Sequence, residues 1–223
     1  MSEEQQDAVE IREAAEAGAE VDESKSAPDD RAVNGPFDVS EVPSMRPYVD
    51  LGGIKIAPRE GLQMRLDVDE RAKRVVAVSL EYEESLLQVQ AFSAPKSSGL
   101  WHRVRGDIAR QMSAQGSTVA EEEGPLGPEV FVQTPVQTEQ GSGVRPARFI
   151  AVDGPRWMLR GVIMGKASVD ASAREALIEL FREIVVVRGE LPMPPSELLP
   201  LQVPAGVQTE AQADRPAGGA QQV

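Results

Sequence analysis

Polar and apolar positions change their period along this chain, and the changes mark its elements. In "LQMRLDVD" (62–69), Leu62, Met64, Leu66 and Val68 alternate with polar residues, the two-residue repeat of a half-buried strand. "PYVDL" and "IKIAP" read as short strands around the turn Gly52-Gly53, and "RVVAVSLEY" and "SLLQVQAFSAP" as two more joined at Glu83-Glu84, so the first half is an antiparallel meander. The period then lengthens. In "SSGLWHRVRGDIARQMSAQG", Trp101, Val104, Ile108 and Met112 recur three or four apart and form one apolar helix stripe. Ser97 or Ser98 can cap its start and Gly116 its end. Gly106 inside it costs roughly 1 kcal/mol relative to alanine, which points to close packing there.

Strand patterns return in "STVAEEE", "PEVFVQTPV", "RPARFIAVDG" and "RWMLRGVIMG", each bounded by glycine or proline. A last helix is predicted from about Asp170 to Val187, with Ala173, Ala176, Leu177, Leu180, Phe181 and Ile184 as its stripe and Asp170 or Ser172 as its cap. The order ββββ-α-ββββ-α, with strands in clusters, predicts an α+β fold: a single twisted antiparallel sheet of about six to eight strands flanked by two main helices that cover its apolar face.

The ends read differently. Residues 1–35 are predicted to be an acidic disordered tail, poor in large apolar groups. The α+β domain spans 36–190. A proline-rich extended arm follows over 191–204, anchored by Leu191, Met193, Leu198 and Leu199, and 205–223 reads as a second disordered tail.

Charge sharpens this division. The formal net charge is −13, and residues 1–34 hold eleven acids against three bases. An acidic tail repels phosphate backbones, which disfavours direct nucleic-acid binding. It serves either solubility or docking to a basic partner. Cysteine is absent, which removes disulfides and thiolate chemistry. No apolar run is long enough to span a membrane and no secretory leader is recognisable, so a cytoplasmic location is the expectation.

Candidate chemistry is sparse. "VIMGKASVD" (162–170) has the strand, glycine, lysine, serine and helix order of a phosphate-binding loop. It fails the pattern: Gly161 stands too close to Gly165, Arg160 occupies the place of the first glycine, and Ala167 follows Lys166 where a hydroxyl is needed. The stretch reads instead as a tight turn, with Ser168 or Asp170 capping the helix. His102 is the sole histidine, so no histidine metal site forms, and "DVDE" (67–70) lacks the glycine and distal glutamate of a calcium loop. No G-x-S-x-G elbow occurs. No catalytic residue, metal ligand or cofactor is assigned. Arg160 stands out, mid-strand with Met158, Val162 and Met164 on its face. Its expected partner is a carboxylate on the final helix, or water at a sheet edge. The functional alternative is a ligand or anion site made by Arg160, Gly161 and Lys166, where the missing side chain of Gly161 allows close approach. Arg103 and Arg110 share one side of the first helix as a small basic patch.

"PSMRPYVDLGGIKI", "GLWHRVRGDIA", "GPRWMLRGVI" and "ELPMPPSELLPL" resemble an uncharacterised actinobacterial family classed as a domain of unknown function, over about 36–200. That resemblance implies a cytoplasmic housekeeping-type protein and supplies no catalytic residues. The element order is also similar to the Mog1/PsbP sandwich, at the level of fold alone. The leading expectation is a non-enzymatic binding or adaptor protein acting through protein partners. The alternatives are a small-molecule or anion-binding domain, possibly enzymatic, near Arg160, and a chaperone-like protein for a basic client.

Overall fold

The computed structural model describes residues 22–43, 46–138 and 141–203. Residues 1–21 of the expected acidic tail, the last residue of the expected arm (204) and the whole expected tail at 205–223 lie outside the described residues. The described residues form a mixed α+β fold with two sheets and three α-helices. A short helix α1 (Arg31–Asn34) is followed by β1 (Phe37–Asp38), β2 (Val49–Asp50) and β3 (Ile54–Ile56). Then come β4 (Gln63–Asp69), β5 (Arg74–Tyr82) and β6 (Ser85–Ser93), helix α2 (Trp101–Ala114), β7 (Thr118–Gly124), β8 (Gly127–Thr138), β9 (Gly141–Asp153) and β10 (Trp157–Gly165). Helix α3 (Ala171–Arg182) and β11 (Val185–Val186) close the series.

Seven strands make the main antiparallel sheet, in the order β4-β5-β6-β10-β9-β8-β7. The β5–β6 hairpin turns on Glu83 and Glu84, both with positive φ (46° and 61°), as the twist of a two-residue hairpin requires. Alternation assigns the two faces. Leu87, Val89, Ile150, Leu159 and Ile163 face α3, whose Leu177 and Phe181 join them in one apolar core. Met158, Ala151 and Phe149 face the other way, toward Trp101, Val104 and Ile108 of α2. The helices therefore cover opposite faces rather than one.

The expected single sheet is corrected to two. The final helix stops at Arg182, five residues short of the predicted end. Ile184, Val185 and Val186 are β-branched and lose χ1 freedom in a helix. The last two become β11, which pairs with β1 in parallel and β3 antiparallel. The strands around Gly52-Gly53 join this four-stranded sheet, order β1-β11-β3-β2, and leave the main meander. Leu51, Ile54 and Ile56 close over the α3 side of the core.

The tail boundary also moves. Residues 22–35, assigned by composition to the acidic tail, run against the domain. Ser26 is buried, Asp153 N–H donates to its carbonyl at 2.8 Å, and Gly99 N–H donates to Glu23 O at 2.8 Å. The Lys25 ammonium donates to the carbonyls of Pro95, Gly154 and Pro155. Burial lowers the Lys25 pKa, partly offset by Asp153.

The proline-rich arm completes the main sheet. Past the Val78–Val89 pair, β5 leaves β6, and the arm takes the vacated edge. Leu199 N–H donates to Ala91 O, and Ser196 N–H to Ser93 O, both at 2.8 Å. Leu201 then bridges Gly52 and Val75, so the arm ties the two sheets together. Leu199 is its buried anchor, whereas Leu191, expected to be another, is 79% exposed.

At the entry to the domain, Arg31 pairs with Glu41 at 2.6 Å and Asp38 accepts from Trp157 Nε1 at 2.9 Å. The Arg31 hydrogen bond foremost holds Glu41 below the ordinary carboxylate range. Burial would raise Asp38, but hydrogen bonds from Ser40 and Trp157 and the charge of Arg31 outweigh it and lower it too. Depressed carboxyl pKa values add stability above the unfolded-state value, and that stability is lost as pH falls through the folded value. Acid titration followed by Trp fluorescence should show this loss below about pH 4. Glu41→Gln should remove about 1 kcal/mol at pH 7 and flatten the acid limb. An unchanged acid limb in that variant refutes the assignment.

Candidate functional site

Arg160 lies on β10, the middle strand of the seven, on the face opposite α3. Its predicted neighbours Met158, Val162 and Met164 do share its face. Its predicted carboxylate does not, because α3 packs on the far side and no sheet edge is near. Arg160 pairs across the strands with Gln90 on β6 and Ala151 on β9. Its guanidinium donates to Gln90 Oε1 and lies over the Phe92 ring, 5.3 Å from the centroid. Gln90 is itself fixed, its Nε2 donating to Val76 O at 3.0 Å. Among the described residues Arg160 makes no ion pair, and its buried Nε has no hydrogen-bond partner. Burial alone lowers its pKa, with no neighbouring carboxylate to restore it.

The flanks of this face are polar. Asp67 on β4 accepts from Ser79 Oγ at 2.8 Å and from Gln88 Nε2 at 2.7 Å. On the other side, Arg103 reaches from α2 to Ser196 Oγ of the arm at 3.1 Å. Ser196 bonds Ser93 and Leu198 bridges Phe92, so Arg103 and Arg160 bracket the sheet at Phe92. Arg110, its expected companion in a basic patch, is paired with Asp107.

The three predicted site residues do not converge. Gly161 faces α3: a Cβ there would come 3.0 Å from Ile150, Leu87 and Phe181, so its missing side chain admits the helix and not a ligand. Lys166 lies exposed past the end of β10, in a 3-10 turn five residues beyond Gly161 and roughly 20 Å along the strand from Arg160. The phosphate-loop look-alike is a turn. Gly165 has φ +76° against Glu84 O, Ser168 Oγ donates to Gly165 O at 2.7 Å, and Asp170 caps α3 by accepting from Ala173 N–H at 2.8 Å.

A second arginine supplies the contrast. Arg148 on β9 is buried on the α3 face, and there it is fully matched. Its Nη1 meets Glu122 and Glu129 at 2.6 Å each, its Nε donates to Ser168 O at 2.8 Å, and its guanidinium lies 4.4 Å from the Phe131 centroid. Sequence reasoning missed this network, although Arg148 falls in phase with Ile150 and Val152, a charged residue where the pattern calls for core. It missed Asp153 as well. This buried carboxylate accepts from Leu100 N–H at 2.9 Å, Trp101 N–H at 3.3 Å and Ser26 N–H at 3.1 Å. It therefore caps α2 from another strand, in place of the predicted Ser97 or Ser98.

Three surface clefts among the described residues lie elsewhere. One of about 340 Å³ is lined by Glu81, Tyr82 and Glu84, one of about 320 Å³ runs along Arg174 and Ile178 of α3, and one of about 210 Å³ sits at Tyr48 and Lys55. Arg160 lines none of these three. Among the described residues no three histidine or acidic side chains gather to hold a metal ion, and no helix is long and apolar enough to cross a membrane.

A family model described as a protein of unknown function matches residues 35–210, which takes in both sheets, α2, α3 and the arm. The chain belongs to the DUF3710 family. No curated protein and no solved structure matches it, so the likeness to the Mog1/PsbP sandwich rests on element order alone. The DUF3710 match starts at residue 35 and leaves out the strap at 22–34 that Asp153 holds.

Proposed function

We propose that this DUF3710 domain is a non-enzymatic binding module that takes an acidic segment of a protein partner on the sheet face at Arg160, beside α2. The observation that carries the reading is a half-buried guanidinium with only a neutral hydrogen-bond partner, in a chain that neutralises Arg148 with two carboxylates. An unneutralised cation in a desolvated setting lowers stability, and an incoming carboxylate restores the balance. Gln90 and Phe92 hold the guanidinium in place, and Arg103 adds a second charge. Arg160 lines none of the three clefts described above, which favours a segment of chain over an enclosed small molecule. The cysteine-free composition accords with a cytoplasmic setting. A small free anion at the same guanidinium is the second reading, since Arg160 requires only a negative group.

The test is a titration of the ¹⁵N-labelled full chain, at low salt, with hexaglutamate peptide and separately with inorganic phosphate. Hexaglutamate should shift the Arg160 Nε–H and Phe92 resonances. Arg160→Met should abolish the Phe92 shift while stabilising the fold by about 1 kcal/mol, a rise of roughly 2–4 °C in Tm. Shifts with phosphate alone move the reading to a small-anion site. No shift with either probe at millimolar concentration overturns the proposal, as does a large loss of stability in Arg160→Met.

A further inference from the structure

We infer that the chain carries its own occupant for this face: the acidic segment 1–21, docking across Arg103 and Arg160. The inference rests on the acidic-partner reading of Arg160 and names the first segment that competes for it.

Three observations converge. Residues 1–21 hold seven acids (Glu3, Glu4, Asp7, Glu10, Glu13, Glu16, Glu20) against one base, Arg12. Glu13, Glu16 and Glu20 recur three and four apart, so a helix formed on docking would present them together. The segment joins the described structure beside the face it would cover. Asp22 Oδ2 lies 3.5 Å from His102 Nε2, in the first turn of α2, and Arg103 is the next residue. Trp101 of the same turn packs against Met158, two residues from Arg160 on the same face. The path from Asp22 to Arg160 is thus a small part of the reach of 21 residues, on the order of 70 Å when extended. Finally, both Arg103 and Arg160 lack a carboxylate among the described residues, whereas the other charged side chains of α2 are paired: His102 faces Asp22, Arg105 meets Glu121 at 2.8 Å, and Arg110 holds Asp107.

Tethering decides the competition. A short connection gives the segment a millimolar effective concentration at the face, so even a weak ionic contact is populated. A free acidic partner meets the repulsion of a chain of net charge −13 and must displace the segment. The device would set a threshold: only partners of higher charge density, or at high local concentration, open the face.

The cysteine-free chain makes the test direct. A nitroxide on Ala14→Cys in the ¹⁵N-labelled full-length protein should broaden the resonances of Phe92, Arg103 and Arg160. The broadening should vanish in about 0.5 M salt, where the screening length is about 4 Å. It should also vanish when Glu10, Glu13, Glu16 and Glu20, all outside the described residues, are changed together to Gln. That variant should bind hexaglutamate about five- to tenfold more tightly than the parent chain. Broadening that is absent, spread evenly over the surface, or unchanged in Arg103→Gln/Arg160→Gln overturns the inference. Broadening only between a labelled chain and a separate ¹⁵N-labelled chain overturns the intramolecular form. If hexaglutamate binds parent and tail variant equally, the inference fails while the acidic-partner reading stands. If broadening follows the pattern expected and hexaglutamate does not bind, the partner reading fails alone.

Discussion

Asp153→Ala should lower stability by about 4 kcal/mol and Tm by roughly 10 °C, the largest effect expected from any polar substitution in this domain. The carboxylate is 2% exposed and accepts three backbone N–H groups, from Ser26, Leu100 and Trp101. Two of these donors belong to the start of α2, which has no side-chain cap of its own. Each buried donor left unsatisfied costs about 1–3 kcal/mol. The structure closes tightly around the site: a Cβ on Gly99 would lie 2.6 Å from Asp153 Oδ2 and 2.3 Å from Ser24 O, which leaves little room for water to replace the lost oxygens. Asp153→Asn keeps one acceptor and turns an amide N–H toward a donor, so it should cost about half as much. Thermal unfolding with Trp fluorescence gives the cost, and amide exchange at Leu100, Trp101 and Ser26 should rise together. A change in Tm below about 2 °C for Asp153→Ala would refute the capping role.

Gly161→Val should lower stability by about 3 kcal/mol, roughly 8 °C in Tm, although its neighbour Arg160 can be replaced at no cost. The two residues are consecutive on one strand and meet opposite surroundings. At Gly161 even a Cβ reaches 3.0 Å from Ile150, Leu87 and Phe181, and two further methyl carbons would displace α3 from the sheet. Gly161→Ala is the graded control, with an effect of about 1 kcal/mol, since the three neighbours are side-chain tips that can give a little. A Gly161→Val protein as stable as the parent would show that α3 does not depend on this contact. Because Gly161 and Arg160 face apart, Gly161→Ala should leave hexaglutamate binding unchanged, which separates packing from recognition.

These neighbours also show what reading the chain could and could not reach. The alternation in "RWMLRGVIM" was enough to put Met158, Arg160, Val162 and Met164 on one side, because a strand's period is two whatever the fold. The same period puts Gly161 on the opposite side, yet the sequence reading grouped it with Arg160 in one ligand site, because nothing local shows that Phe181 fills the space at Gly161. The expectation that a carboxylate on the last helix neutralises Arg160 failed for a topological reason: two helices can cover one face of a sheet or one each, and the local pattern is the same in both cases. Likewise Ser97 and Ser98 were reasonable caps by sequence distance, while the actual cap, Asp153, is more than fifty residues away along the chain.

Local periodicity was enough for most elements: nine of the eleven strands among the described residues, and both long helices, lie in stretches read as such from the sequence, while β1 was not foreseen and β11 was read as helix. Residues 162–170 could be told apart from a phosphate-binding loop in the same way, since that pattern needs local spacing alone. Long-range packing alone sets β1, β2, β3 and β11 in a separate sheet, lays the arm on the edge left by β5, and neutralises Arg148 but not Arg160. The reason is physical: periodicity is set by backbone geometry within a segment, whereas charge balance and burial are set by which distant segments meet.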